Sequence, residues 1–95
     1  MHRCVVTISR FAEKQLRKIP AQIRENLLIW ARSVEMKGIG EIRKLKGYHD
    51  EPLKGTRQGQ RSIRLNRSYR AIYEETSPDG EITLIGVLEV NKHDY

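Results

Sequence analysis

LKGTRQGQRSIRLNRSYRAIY, residues 53–73, is the stretch on which the reading of the fold turns. From Arg61 to Asn66 apolar and polar residues alternate, so Ile63 and Leu65 face one way and Ser62, Arg64 and Asn66 the other. Asn66-Arg67-Ser68 makes a tight connection. In the returning strand, Tyr69 to Glu75, the residues Tyr69, Ala71 and Tyr73 share one face, and Arg70, Ile72 and Glu74 share the other. The same stretch carries Lys54, Arg57, Arg61, Arg64, Arg67 and Arg70 and no acid. It reads as a β-hairpin that presents guanidinium groups to a polyanion.

Before the hairpin, Arg3–Ile8 is a short β-branched run suited to a strand. Ser9 is a helix N-cap, its hydroxyl able to accept a backbone N–H of the first turn. Phe11, Ala12, Leu16 and Ile19 then form one helical stripe, and Pro20 ends that helix or begins the next. Ile23, Leu27, Trp30, Ala31 and Val34 predict a second helix over about Ala21–Met36, closed by Lys37-Gly38. Trp30 lies on the apolar face and reads as core. Residues Ile39–Pro52 read as irregular, with Ile42 and Leu45 pinning a loop or a short helical turn.

After the hairpin, Ser77-Pro78-Asp79-Gly80 is turn chemistry. Glu81–Asn91 is the last strand, with Ile82, Leu84, Leu88 and Val90 on one face and Ile85 and Val87 on the other. The expected order is β-α-α-β-β-β in one α+β domain over residues 1–95: two antiparallel helices packed on one face of a small, largely antiparallel sheet. The other face stays partly open.

Charge then limits the function classes. A net charge of +6 favours an acidic partner. Half of the 18 Lys and Arg residues fall between Arg43 and Arg70, against two acids, Asp50 and Glu51. Arginines on strand faces also deter edge-to-edge aggregation, which is the plainer account of the same pattern. The single cysteine, Cys4, forms no internal disulfide and reads as a small buried hydrophobe. No Cys/His spacing indicates a metal, and no cofactor is called for. No apolar run approaches a membrane span, so the expectation is a cytoplasmic protein without a membrane partner.

One reaction class suits these residues. RNA carries its own nucleophile, the 2′-OH. Its cleavage needs a base for that proton, cations on the phosphorane and an acid for the 5′-oxygen, and guanidiniums can supply the charge without a metal. Arginine does not titrate at physiological pH, so Arg64 and Arg70 suit charge stabilisation, not proton transfer. Beside the last strand, His93 and Tyr95 are the titratable candidates, with Asp94 able to orient His93 and Glu74 a weaker acid or base. A terminal His and Tyr are also often simply solvated.

Leu53-Lys54-Gly55, Arg61-Ser62-Ile63-Arg64-Leu65, Tyr69-Arg70-Ala71-Ile72-Tyr73 and Val90-Asn91-Lys92-His93-Asp94-Tyr95, in this order, resemble the RelE/ParE superfamily of bacterial toxins, and in particular the RelE and HigB-type mRNA interferases. The resemblance implies the toxin of a type II toxin–antitoxin system: a metal-independent endoribonuclease that cleaves mRNA on the ribosome and is neutralised by a cognate antitoxin, which in some systems is a helix-turn-helix DNA-binding protein. It implies catalytic roles for Arg64, Arg70, His93 and Tyr95, with either His93 or Tyr95 as the base. It makes Lys54, Arg61 and Lys92 auxiliary phosphate contacts, and Arg57 and Arg67 are further candidates for holding RNA or ribosome. Some RelE members carry lysines where this chain has Ser62 and Arg64, so a lysine base is absent at those positions. Two other readings share the pattern: a ParE-like toxin that acts on DNA gyrase without nuclease activity, and an inert nucleic-acid-binding module.

Overall fold

Among the described residues, five strands form one sheet in the order β1-β5-β4-β3-β2, and three α-helices accompany it. The computed structural model describes residues 5–77 and 81–89. β1 (Val5–Ile8) leads through Ser9 into α1 (Arg10–Leu16). The Ser9 hydroxyl accepts from the Ala12 amide at 3.1 Å and donates to the Ile85 carbonyl at 3.0 Å, so this cap also fastens the helix to the sheet. α1 is shorter than its apolar stripe suggests. It stops at Leu16, and Pro20 stands at the N-cap of α2 (Ala21–Lys37) with φ −58°. α2 ends at Gly38, whose φ of 89° is open to glycine and costly for other residues.

The segment read as irregular carries the short helical turn expected around Ile42, although Leu45 is exposed and does not pin it, and one strand that its sequence did not reveal. α3 (Ile39–Arg43) is a single turn that buries Ile39 and Ile42. Five residues are too few for a periodicity to show. After a 3₁₀ turn at Lys46–Tyr48 comes β2 (Glu51–Pro52), antiparallel to β3 (Gln60–Arg64). A proline without an N–H is tolerated on this edge strand. β4 (Tyr69–Ser77) and β5 (Glu81–Glu89) complete the hairpins. The one parallel pairing among the described residues sets the first strand, β1, beside the last, β5.

The helices cover one face. Trp30 is fully buried and meets the Tyr73 ring at 5.2 Å between centroids. Leu27, Ile63, Ile82 and Leu84 fill the space around this pair. Val87 belongs to the same core, against the expectation from alternation. The reason is a register shift: Ile72 faces Gly86 and Tyr73 faces Leu84, so Ile85 is an extra residue and the side-chain phase reverses beyond it. The Leu88 side chain and Val90 lie outside the described residues. Past the end of β1, the Gln15 side chain makes two hydrogen bonds to the Val87 backbone, at 2.7 and 2.8 Å. A helix thereby satisfies the edge of β5 that no strand reaches.

Candidate nucleic-acid site

The turn at Asn66 sets the register of the basic hairpin. Its side-chain oxygen accepts the amides of Ser68 and Tyr69, at 2.7 and 2.9 Å, which closes the connection in an Asx turn. β3 and β4 then pair so that Arg64 lies directly opposite Arg70. Two like charges across a strand pair repel. The cost is tolerable where an anion is to be held between them.

The two arginines are held differently. Arg70 is anchored: its Nε donates to the Ser62 hydroxyl at 3.0 Å, and its Nη2 donates to the His49 carbonyl at 2.9 Å and lies 3.9 Å from the Glu51 carboxylate. Ser62 is itself buried. Arg64 is exposed, at the rim of a cleft of about 300 Å³ lined by Asn26, Ile29, Leu45, Tyr48 and Leu65. One arginine is therefore preset and the other can follow a ligand.

The remaining cations divide. Lys54, Arg57 and Arg67 are exposed, and Arg57 donates to Gln60 at 3.1 Å. Arg61 is not brought to the Arg70 face. It pairs across the ladder with Tyr73, on the helix side, and its Nε donates to Asp50 at 2.6 Å. Glu74 lies opposite Gln60 and is half-buried. Lys92, His93, Asp94 and Tyr95 lie outside the described residues. β5 does run to the site, with Leu88 opposite Arg70 and Glu89 opposite Tyr69. His93 follows Glu89 by four positions in the sequence, a span of at most roughly 14 Å for extended chain.

Behind the basic face is a polar cluster that the sequence reading missed. The Asp50 side chain is 0% exposed. It accepts from Arg61 Nε and from the Tyr73 hydroxyl, both at 2.6 Å, and Arg43 Nε lies 3.8 Å away. Arg43 Nη2 donates to the Tyr73 oxygen at 3.0 Å and to Glu75 at 2.9 Å. The available signal was one of two adjacent acids, Asp50 and Glu51, in a basic region, which is weak because its partners lie 7, 11 and 23 residues away. Burial, and then the hydrogen bond to Asp50, push the Tyr73 hydroxyl far above the ordinary tyrosine range, against the opposing pull of Arg43. Tyr73 is thus a neutral donor, not a proton carrier.

A raised pKa on a group that is neutral when folded gives stability that is complete below the unfolded value of about 10 and is lost as pH rises through the folded value. We expect ultraviolet titration of the native protein to leave Tyr73 un-ionised until the chain unfolds in alkali. Ionisation of every tyrosine near pH 10 with the fold intact would contradict the burial of this hydroxyl.

Among the described residues no group of His, Cys, Asp and Glu could hold a metal ion, and no helix is long and apolar enough to cross a membrane. No protein-family model and no curated protein matches the chain. Solved structures do. RelE in the archaeal RelE–RelB complex of Pyrococcus horikoshii superposes with a TM-score of 0.71 at 20% identity, covering 95% of this chain and 98% of that one. YafQ of E. coli gives 0.71 at 16%, covering 93% and 94%. The intact E. coli RelBE toxin–antitoxin complex gives 0.62 at 23%, covering 94% and 99%.

Proposed function

From the RelE-type toxin fold that this chain shares with those structures, we propose that the protein is the toxin of a type II toxin–antitoxin system and that it acts as a metal-independent endoribonuclease on mRNA engaged by the ribosome. The observation that carries the reading is the Arg64–Arg70 pair on the sheet face away from the helices, with Arg70 already fixed by Ser62 and His49. The whole chain acts as one domain, in the cytoplasm where its substrate is.

The chemistry follows from the groups. A base removes the 2′-OH proton, and the oxygen attacks the adjacent phosphorus. The phosphorane carries extra negative charge on its equatorial oxygens, which the fixed Arg70 and the exposed Arg64 neutralise. The bond to the 5′-oxygen breaks as that oxygen takes a proton, leaving a 2′,3′-cyclic phosphate. We assign the base and the acid to His93 and Tyr95, a reading supported by the pairing of Leu88, near the end of β5, with Arg70. Lys54, Arg57, Arg67 and Lys92 hold the flanking backbone. A cognate antitoxin neutralises the toxin by covering this basic face with acidic residues.

Induction in a bacterial host tests the reading. Growth arrest with mRNA cuts mapped by primer extension is the expected result, and arrest with intact mRNA would defeat it. The roles of the individual cations are read from salt. For single-stranded RNA the slope of log K against log salt changes by about 0.7 for each phosphate contact. We expect Arg64→Ala to flatten the slope by about that amount and Arg61→Ala, whose side chain is tied to Asp50, to leave it in place. Equal flattening by both would put Arg61 back among the RNA contacts.

A further inference from the structure

We propose that Asp50 is a positioning residue for Arg70, acting through the carbonyl of His49. The inference rests on the reading of Arg70 as the group that meets the scissile phosphate.

His49 is the only residue other than glycine with positive φ among the described residues, at φ 46° and ψ 51°. A side-chain-bearing residue enters this left-handed region singly and only where its neighbours hold it there. Both neighbours do. On the N-terminal side, the His49 amide donates to the Lys46 carbonyl at 3.1 Å and closes the 3₁₀ turn. On the C-terminal side stands Asp50, with its buried carboxylate fastened by Arg61 and Tyr73 and its carbonyl 3.5 Å from Arg61 Nη2. Between these two fixed points the chain reverses, and the His49 carbonyl is left aimed at Arg70 Nη2, 2.9 Å away.

The Ser62 hydroxyl holds the same guanidinium at Nε. Contacts at two different nitrogens fix the plane of the group, whereas one contact would leave it free to swing. Of the five N–H donors of an arginine, the Nη1 pair and the second Nη2 hydrogen remain for a phosphate. A carboxylate on the helix side of the sheet thus sets the orientation of a cation on the opposite face. The connection runs through one backbone carbonyl.

The experiment combines two readouts. Single-turnover mRNA cleavage on programmed ribosomes reports the chemistry. The ¹⁵N-resolved Nε–H signal of Arg70 reports its orientation and needs no activity. Asp50→Asn is expected to slow cleavage by about 10–100-fold, in line with the cost of a small misplacement, to leave apparent ribosome affinity unchanged, and to broaden the Arg70 signal. Leu27→Ala lowers stability without touching this chain of contacts, and below its melting temperature it should leave both readouts as in the wild type. In an Arg70→Ala background, Asp50→Asn should add little further loss.

His49→Val, which resists the left-handed region, should impair both readouts more than His49→Gly, which accepts it. This pair decides the matter if Asp50→Asn fails to fold. A wild-type Arg70 signal and rate in Asp50→Asn or His49→Val overturns the proposal. So does a full loss from Asp50→Asn when Arg70 is already absent. If the wild-type protein cleaves no RNA, the nuclease reading falls, and the Arg70 signal alone decides whether Asp50 orients it.

Discussion

Replacing Arg70 by alanine should slow single-turnover mRNA cleavage by about 10²–10³-fold, equivalent to about 2.7–4 kcal/mol of transition-state stabilisation. The size follows from preorganisation. Arg70 reaches the site with its guanidinium already held by Ser62 and the His49 carbonyl, so little is spent on ordering it as charge develops on the phosphorane. Arg70→Lys keeps the charge but loses the planar fork that makes both of these contacts, and should recover only a small part of the rate. Arg64, exposed and without a hydrogen-bond partner among the described residues, should show a smaller loss on truncation. Rates from quenched-flow cleavage of a defined codon on the ribosome measure all three. If Arg70→Ala cuts at the wild-type rate, the catalytic cation lies elsewhere and the site as drawn is wrong.

Asp50→Ala should be the most damaging single change to stability, at about 3–5 kcal/mol. The carboxylate is fully buried and stands among Arg61, Arg43 and the Tyr73 hydroxyl. Its removal leaves two guanidiniums and a hydroxyl facing a void that they cannot fill, which costs more than the loss of one favourable contact. Set against the roughly 5–15 kcal/mol that holds a domain together, the variant would be close to unfolded. Tyr73→Phe removes the donor to Asp50 and the acceptor for Arg43 but leaves the carboxylate paired with Arg61, and should cost less, about 1–3 kcal/mol. Urea melts compare the two through their midpoints. If Asp50→Ala melts within about 1 kcal/mol of the wild type, the cluster is not the fastener that its distances describe. In the milder Asp50→Asn, alkaline titration should show the Tyr73 hydroxyl ionising more readily, because part of its upward shift comes from that carboxylate.

The sequence determined the elements whose chemistry is local. Ser9 caps α1 because a hydroxyl beside the first turn has an N–H to accept. Asn66 closes the hairpin for the same reason, and the alternation from Arg61 to Asn66 puts Arg64 on the face away from Ile63. These contacts span at most four residues, so residue type and spacing suffice to find them. The resemblance of the ordered motifs to RelE-type toxins led to the fold that the solved structures share. His93 and Tyr95 fall outside the described residues, so their roles rest on that resemblance and on where β5 ends.

What pattern reading could not see depends on residues far apart in the chain. One bulged residue, Ile85, moved Val87 into the core, and no periodicity announces a bulge. Arg61 and Arg70 look alike as letters nine positions apart in one basic stretch. Alternation sets the first on the Ile63 side, but only the tertiary structure brings Asp50 there to hold it and brings Ser62 and the His49 carbonyl to the second. Asp50 itself looked like a stray acid until the fold closed Arg43, Arg61 and Tyr73 around it. The hairpin from Lys54 to Tyr73 was legible as a source of positive charge. Which of its cations is held ready for a phosphate was decided by tertiary structure, because a guanidinium is oriented by whichever acceptors the fold brings to it.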